Sequence, residues 1–198
     1  MRYVNQRKHP HMLYVTRQSL DEKNKAYGKT TTIYSSGCGL CAAIMVADRL
    51  LPSYQFDLPD AIELAYAVKA NRCVGTDYKI YGPAFAEKLG LRYQMTADVE
   101  EMRQCVRTGG AAVVLVGGNR EGHIGLFTRS GHYITVIGEE PDGRFAILDP
   151  SLEPGKYDEE GRKGRVEIKN DVIVLCDAQT LHAETEGKPG PYYLFWRA

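Results

Sequence analysis

From position 38 the chain runs Cys38-Gly39-Leu40-Cys41-Ala42-Ala43-Ile44-Met45-Val46-Ala47 and meets no charged residue until Asp48. This run is rich in helix formers and predicts a helix over 38–51. Pro52 stops it, since proline removes a donor and restricts the residue before it. Three more helices follow. One covers 58–68, with Pro59 suited to its first turn. One covers 83–89, closed by Gly90. One covers 98–106, ahead of Gly109-Gly110. The pattern then changes to short β-rich runs. These predict strands at 111–116, 132–137, 144–148, 165–168 and 192–196. Helices first and strands afterwards give an α+β plan with a mostly antiparallel sheet. The segment 75–82 has tyrosines among turn residues; its plainer reading is a loop whose aromatics cover the core, its other reading one wall of a cleft. The segment 153–164 is charged and glycine-containing, and reads as an exposed loop or hairpin whose charges are there for solvation. No internal repeat or low-complexity tract is present.

The chain has 198 residues, enough to bury a sizeable core. We expect an N-terminal extension over 1–26 and one domain over 27–198. Lysine plus arginine and aspartate plus glutamate number 25 each, so the formal net charge is zero. No broad basic surface is available for nucleic acid. The first thirty residues are polar and basic, with Arg2, Arg7, Lys8 and Arg17, and hold no apolar run long enough for a signal peptide or a membrane span. Five cysteines without framework spacing favour a reducing compartment. The cytoplasm is the expected location, or an exported one if a signal segment has been removed.

Three short motifs carry chemistry: Ser36-Gly37-Cys38-Gly39, then Ser130-Gly131-His132-Tyr133, then Leu148-Asp149-Pro150. With Ser36 or Gly37 as N-cap, Cys38 falls in the first helical turn. Its sulfur then lies near unpaired backbone N–H groups, and its own N–H is free to bind an oxyanion. Only a thiolate attacks, and an imidazolium or a helix N-terminus lowers a thiol pKa. His132 heads a strand, a rigid base for a general base. Asp142-Gly143 marks a hairpin turn. The returning strand ends at Asp149, within reach of the His132 ring, where it can fix the tautomer. Singly, each residue has a plainer explanation: a small buried hydrophobe, a strand-end histidine, a turn acid. Their joint order and spacing favour a Cys-His-Asp site.

These residues resemble the bacterial cysteine peptidases related to the bacteriocin (double-glycine leader) processing enzymes, and more closely their stand-alone branch. The resemblance covers roughly 27–150. It implies a papain-like fold, Cys38 as nucleophile, His132 as base and Asp149 as orienting acid. It also implies a thioester intermediate, no cofactor, and a peptide or small amide substrate, with small residues such as Gly suiting the cleft. Papain-like enzymes tend to carry a Gln six residues before the nucleophile as second oxyanion donor. Thr32 stands there, so Tyr34, Ser35, Ser36 or backbone N–H groups are the alternatives.

Other readings of the same residues remain. The site can pass an acyl group to an amine, or bind peptide without turnover. Cys38 and Cys41 have the spacing of a thiol-disulfide pair, but that use leaves His132 and Asp149 without a role. A zinc site would need two further ligands, and Cys73, Cys105 and Cys176 are isolated. His123 reads as a loop residue near the cleft. His9, His11 and His182 have no positional case.

Overall fold

The computed structural model describes residues 2–16, 31–72 and 75–198. Ile33–Ser36 makes a single turn, α1, and Cys38–Leu50 forms α2. Leu58–Ala67 is α3 and Tyr78–Leu89 is α4. Leu91–Thr96 is β1, Val99–Arg107 is α5 and Ala111–Val116 is β2. His132–Glu139 and Phe145–Leu148 are β3 and β4; Glu167–Lys169 and Ile173–Cys176 are β5 and β6. Ala178–Ala183 is α6 and Tyr192–Arg197 is β7. Among the described residues the strands form one seven-stranded sheet in the order β1-β7-β2-β3-β4-β6-β5, antiparallel at every pairing.

Alternation along β2 serves two cores. Ala111 and Val113 pack with α2, α3 and α4, whereas Ala112, Val114 and Val116 pack with Met102, Cys105 and Val106 of α5. Every residue of α2 from Gly39 to Ala47 is buried. A helix apolar all round belongs in the interior, and α2 is sunk between the sheet and α3. Two polar contacts fix its register on β3: Thr135 donates to the Ala42 carbonyl at 3.3 Å, and Arg49 donates to the Ile137 carbonyl at 3.1 Å. Helix and strand therefore run the same way. From 38 to 49 a helix advances about 16 Å, and from 132 to 137 a strand advances about 16 Å. The N-terminus of α2 and the start of β3 thus come level.

Two departures from expectation have physical causes. Helix α4 begins at Tyr78, so Pro83 lies inside it. Asp77 caps the helix by accepting from the Lys79 N–H at 3.0 Å, and Tyr78, Tyr81 and Phe85 share one buried face. An interior proline costs about 3 kcal/mol. Burying each large aromatic returns roughly 1.5–3 kcal/mol, so the helix keeps its early start. Strands β1 and β6 and helix α6 were not anticipated; each is short and lacks strong periodicity. The N-terminal residues 2–16 pack against the rest of the described chain. Val4 and Tyr14 are buried, and this segment braces the turn after β4. Tyr3 donates to the Asp149 carbonyl at 2.6 Å, Asn5 to the Leu152 carbonyl at 2.7 Å, and the Gln6 N–H to the Pro150 carbonyl at 2.7 Å.

The connection from β2 to β3 folds tightly on itself just before His132. Asn119 Oδ1 accepts from the Gly125 N–H at 3.0 Å, and the Asn119 N–H donates to the Arg129 carbonyl at 3.2 Å. A Cβ at Gly118 would overlap the backbone of Arg129 and Ser130. Gly118→Ala is therefore expected to cost about 1–3 kcal/mol, as overpacking does, and to lower the urea midpoint accordingly. An unchanged midpoint would mean that this crossing is looser than described.

Candidate active site

Gly37 is the N-cap of α2, and Cys38 is its first residue. The Cys38 thiol is half-buried. Burial alone would push its pKa up. The hydrogen bond and charge of His132, with backbone N–H groups of Tyr133 and Gly39 aimed at the sulfur, outweigh burial and hold the thiol below its ordinary value. Gly39 is needed beneath it. A Cβ there would sit 3.0 Å from Thr76 Cβ and 3.1 Å from the Tyr78 ring, and the Tyr78 hydroxyl donates to the Gly39 carbonyl at 2.7 Å. Behind the thiol, Tyr78 packs on Tyr133 and Tyr193 with ring centroids 4.8 and 5.1 Å apart.

His132 is buried at the head of β3. Its Nε2 lies 2.8 Å from Asp149 Oδ1. With that nitrogen engaged, Nδ1 is the one left for the thiol. Burial would lower the imidazole pKa, but hydrogen bonds to Asp149 and Cys38 and their charges raise it. The β3–β4 pairing explains the approach. Thr135 lies opposite Leu148, so the hairpin carries Asp149 and Ser151 back to the level of His132. The expected Asp142-Gly143 turn is present, with Gly143 at φ 85°.

Asp149 is fully buried, and both of its oxygens are occupied. Oδ1 receives His132 and the Ser151 N–H at 2.9 Å; Oδ2 receives Lys156 Nζ at 2.5 Å and the Tyr157 hydroxyl at 2.7 Å. Burial would raise this carboxyl, yet His132 and Lys156 hold it far below the usual carboxylate range. Lys156 and Tyr157 are site neighbours that sequence reasoning missed; the segment 153–164 is the exposed loop expected over most of its length, with Lys156, Tyr157 and Arg162 turned inward. The Lys156 side chain is only 9% exposed, and Arg162 is buried with Nε donating to the Gly125 carbonyl.

The thiol and imidazole open on a cavity of about 690 Å³, whose walls include Ser35, Ser36, Thr76, Asp77, Leu115 and Ser130. Thr32 does not line it. That residue is the N-cap of α1, where its N–H donates to Ser35 Oγ at 3.1 Å. The cleft wall carries the hydroxyls of Ser35 and Ser36, and α2 begins there with its unpaired N–H groups.

The remaining candidates lie elsewhere. His123 does not reach the cleft: its Nε2 is 3.0 Å from Glu184 Oε1. His182 bonds the Tyr192 hydroxyl through Nδ1 at 2.9 Å. Cys41 is fully buried, and burial, with the nearby Cys38 charge, pushes its thiol well up. Cys38, Cys41, Cys105 and Cys176 are free thiols, and Cys73 lies outside the described residues. Among the described residues no group of three or more His, Cys, Asp or Glu is placed to hold a metal ion, and no helix is long and apolar enough to cross a membrane.

No protein-family model matches the chain, and no curated protein sequence matches it. Solved structures do. The peptidase domain of Streptococcus ComA, described as a bi-functional ABC transporter involved in a quorum-sensing pathway, aligns with a TM-score of 0.50 at 15% identity, covering 81% of this chain and 91% of that one. A protein from Bacillus anthracis, described as a C39-like peptidase, aligns with a TM-score of 0.53 at 12% identity, covering 82% and 88%. The fold is thus the α+β, papain-like fold of C39 peptidase domains.

A thiol held low by an imidazolium should react when ordinary thiols do not. Cys38 is expected to take iodoacetamide rapidly at pH 6, and His132→Ala to slow this about 100-fold, because a thiol of pKa about 8.5 is scarcely ionised there. Peptide mass spectrometry reads the site. Slow labelling of Cys38 that ignores His132 would refute the thiolate–imidazolium pair.

Proposed function

We propose that the chain is a cysteine peptidase or amide hydrolase, with Cys38 as nucleophile, His132 as base and acid, and Asp149 as orienting acid. The observation that carries this reading is the unbroken series of thiol, imidazole and buried carboxylate at the mouth of an open cleft. The Cys38 thiolate attacks the carbonyl carbon of an amide. Negative charge develops on the carbonyl oxygen, where the Cys38 N–H at the start of α2 and the Ser36 hydroxyl are the donors offered. The C–N bond breaks as the imidazolium gives its proton to the leaving amine, and a thioester remains. His132 then takes a proton from water, which attacks the thioester and releases the acid and the free thiolate. Asp149 holds the ring in one orientation throughout.

The substrate is proposed to be a peptide, since the cleft is open enough for a chain and its walls carry both polar and apolar groups. Among the described residues four cysteines are free thiols, which supports a reducing location.

The test is turnover of a mixture of quenched-fluorescent peptides, with intact-mass detection of an acylated protein. Cleavage should vanish in Cys38→Ala and fall by about 10²–10⁴-fold in His132→Ala. Added hydroxylamine diverts the thioester to a hydroxamate if an acyl-enzyme forms. Fast Cys38 alkylation with neither cleavage nor acylation would instead identify a peptide-binding module that does no chemistry.

A further inference from the structure

Resting on that reading, we propose that Lys156 is a positioning residue of the site, balancing the charge of Asp149 and so limiting how tightly His132 holds its proton. The geometry is unusual for a lysine. Its ammonium is enclosed and makes three bonds: Asp149 Oδ2 at 2.5 Å, Ser151 Oγ at 2.8 Å and the Ser151 carbonyl at 3.3 Å. Ser151 Oγ in turn lies 3.2 Å from His132 Nε2. The carboxylate is therefore shared by two cations on its two sides, His132 on Oδ1 and Lys156 on Oδ2. The series Cys38, His132, Asp149, Lys156 alternates in charge and sums to zero when the thiol is ionised.

The step this governs is proton transfer to the leaving amine. A lone buried carboxylate against His132 would favour the imidazolium so strongly that the ring would part with its proton reluctantly. A second cation on the same carboxylate offsets part of that pull. Burial of the lysine itself works against its charge, while Asp149 supports it. The other titratable or charged groups facing the pair are Tyr157 and Arg162 from the same turn, Tyr3 and Arg7 from the N-terminal segment, and Cys38 across the ring. Tyr157 adds a neutral donor to the same Oδ2.

The test is the pH dependence of Cys38 alkylation by iodoacetate, whose carboxylate is drawn to the imidazolium. In the unmodified protein the rate should rise as the thiol ionises and fall as His132 loses its proton, a bell whose upper limb disappears in His132→Ala. Without that bell the underlying triad reading fails. With it, Lys156→Met should move the upper limb to higher pH by about one unit, the scale of a charge a few ångströms away. Lys156→Arg should keep it within about 0.3 units of the original, since the charge remains. Tyr157→Phe, which removes the other donor to Oδ2 without opening the core, should move it the same way by less, and serves if Lys156→Met does not fold. A folded Lys156→Met whose upper limb stays in place, or a Tyr157→Phe limb that does not rise, would overturn the proposal and leave Lys156 as a structural clamp.

Discussion

The docking of α2 on β3 governs this molecule. A reactive pair needs its two members a few ångströms apart, and here they come from positions far apart in the chain. No local turn can hold them. What holds them is a buried helix lying along a buried strand, pinned at Ala42 by Thr135 and at Ile137 by Arg49. Matched advances along helix and strand keep Cys38 and His132 level. The remaining sheet and the tyrosine cluster under Gly39 keep that docking rigid, because closely packed interiors resist small shifts.

The second constraint is electrostatic. A carboxylate taken fully out of water costs several kcal/mol unless it is paired and hydrogen-bonded. Asp149 meets that demand with five side-chain or backbone donors drawn from β3 and the turn after β4. The N-terminal segment then grips the backbone of the same turn through Tyr3, Asn5 and Gln6. The acid is thus held both by its oxygens and by its main chain.

Much of this was legible in the chain. Glycines around a cysteine at a helix start, a histidine heading a β-rich run and an Asp-Gly turn are local signals with local causes, and the three residues they single out, Cys38, His132 and Asp149, lie side by side. Signals that depend on partners were not legible. Lys156 sits in a charged, glycine-bearing run that looks solvated, and only a buried carboxylate seven positions earlier gives it a different purpose. Pro83 suggested a helix start, whereas the buried face of Tyr78, Tyr81 and Phe85 decided it. His123 in its glycine-rich loop looked close to the cleft, but buried Glu184 holds it elsewhere.

The distance in sequence between the parts of the site has a consequence for how the protein is made. Cys38 precedes His132 by 94 positions. At about 5–20 residues per second of synthesis, the cysteine exists for roughly 5–20 s before its histidine is made, and Lys156 follows later still. During that interval Cys38 has no imidazole beside it and behaves as an ordinary thiol, so a nascent chain on the ribosome carries the proposed nucleophile unarmed.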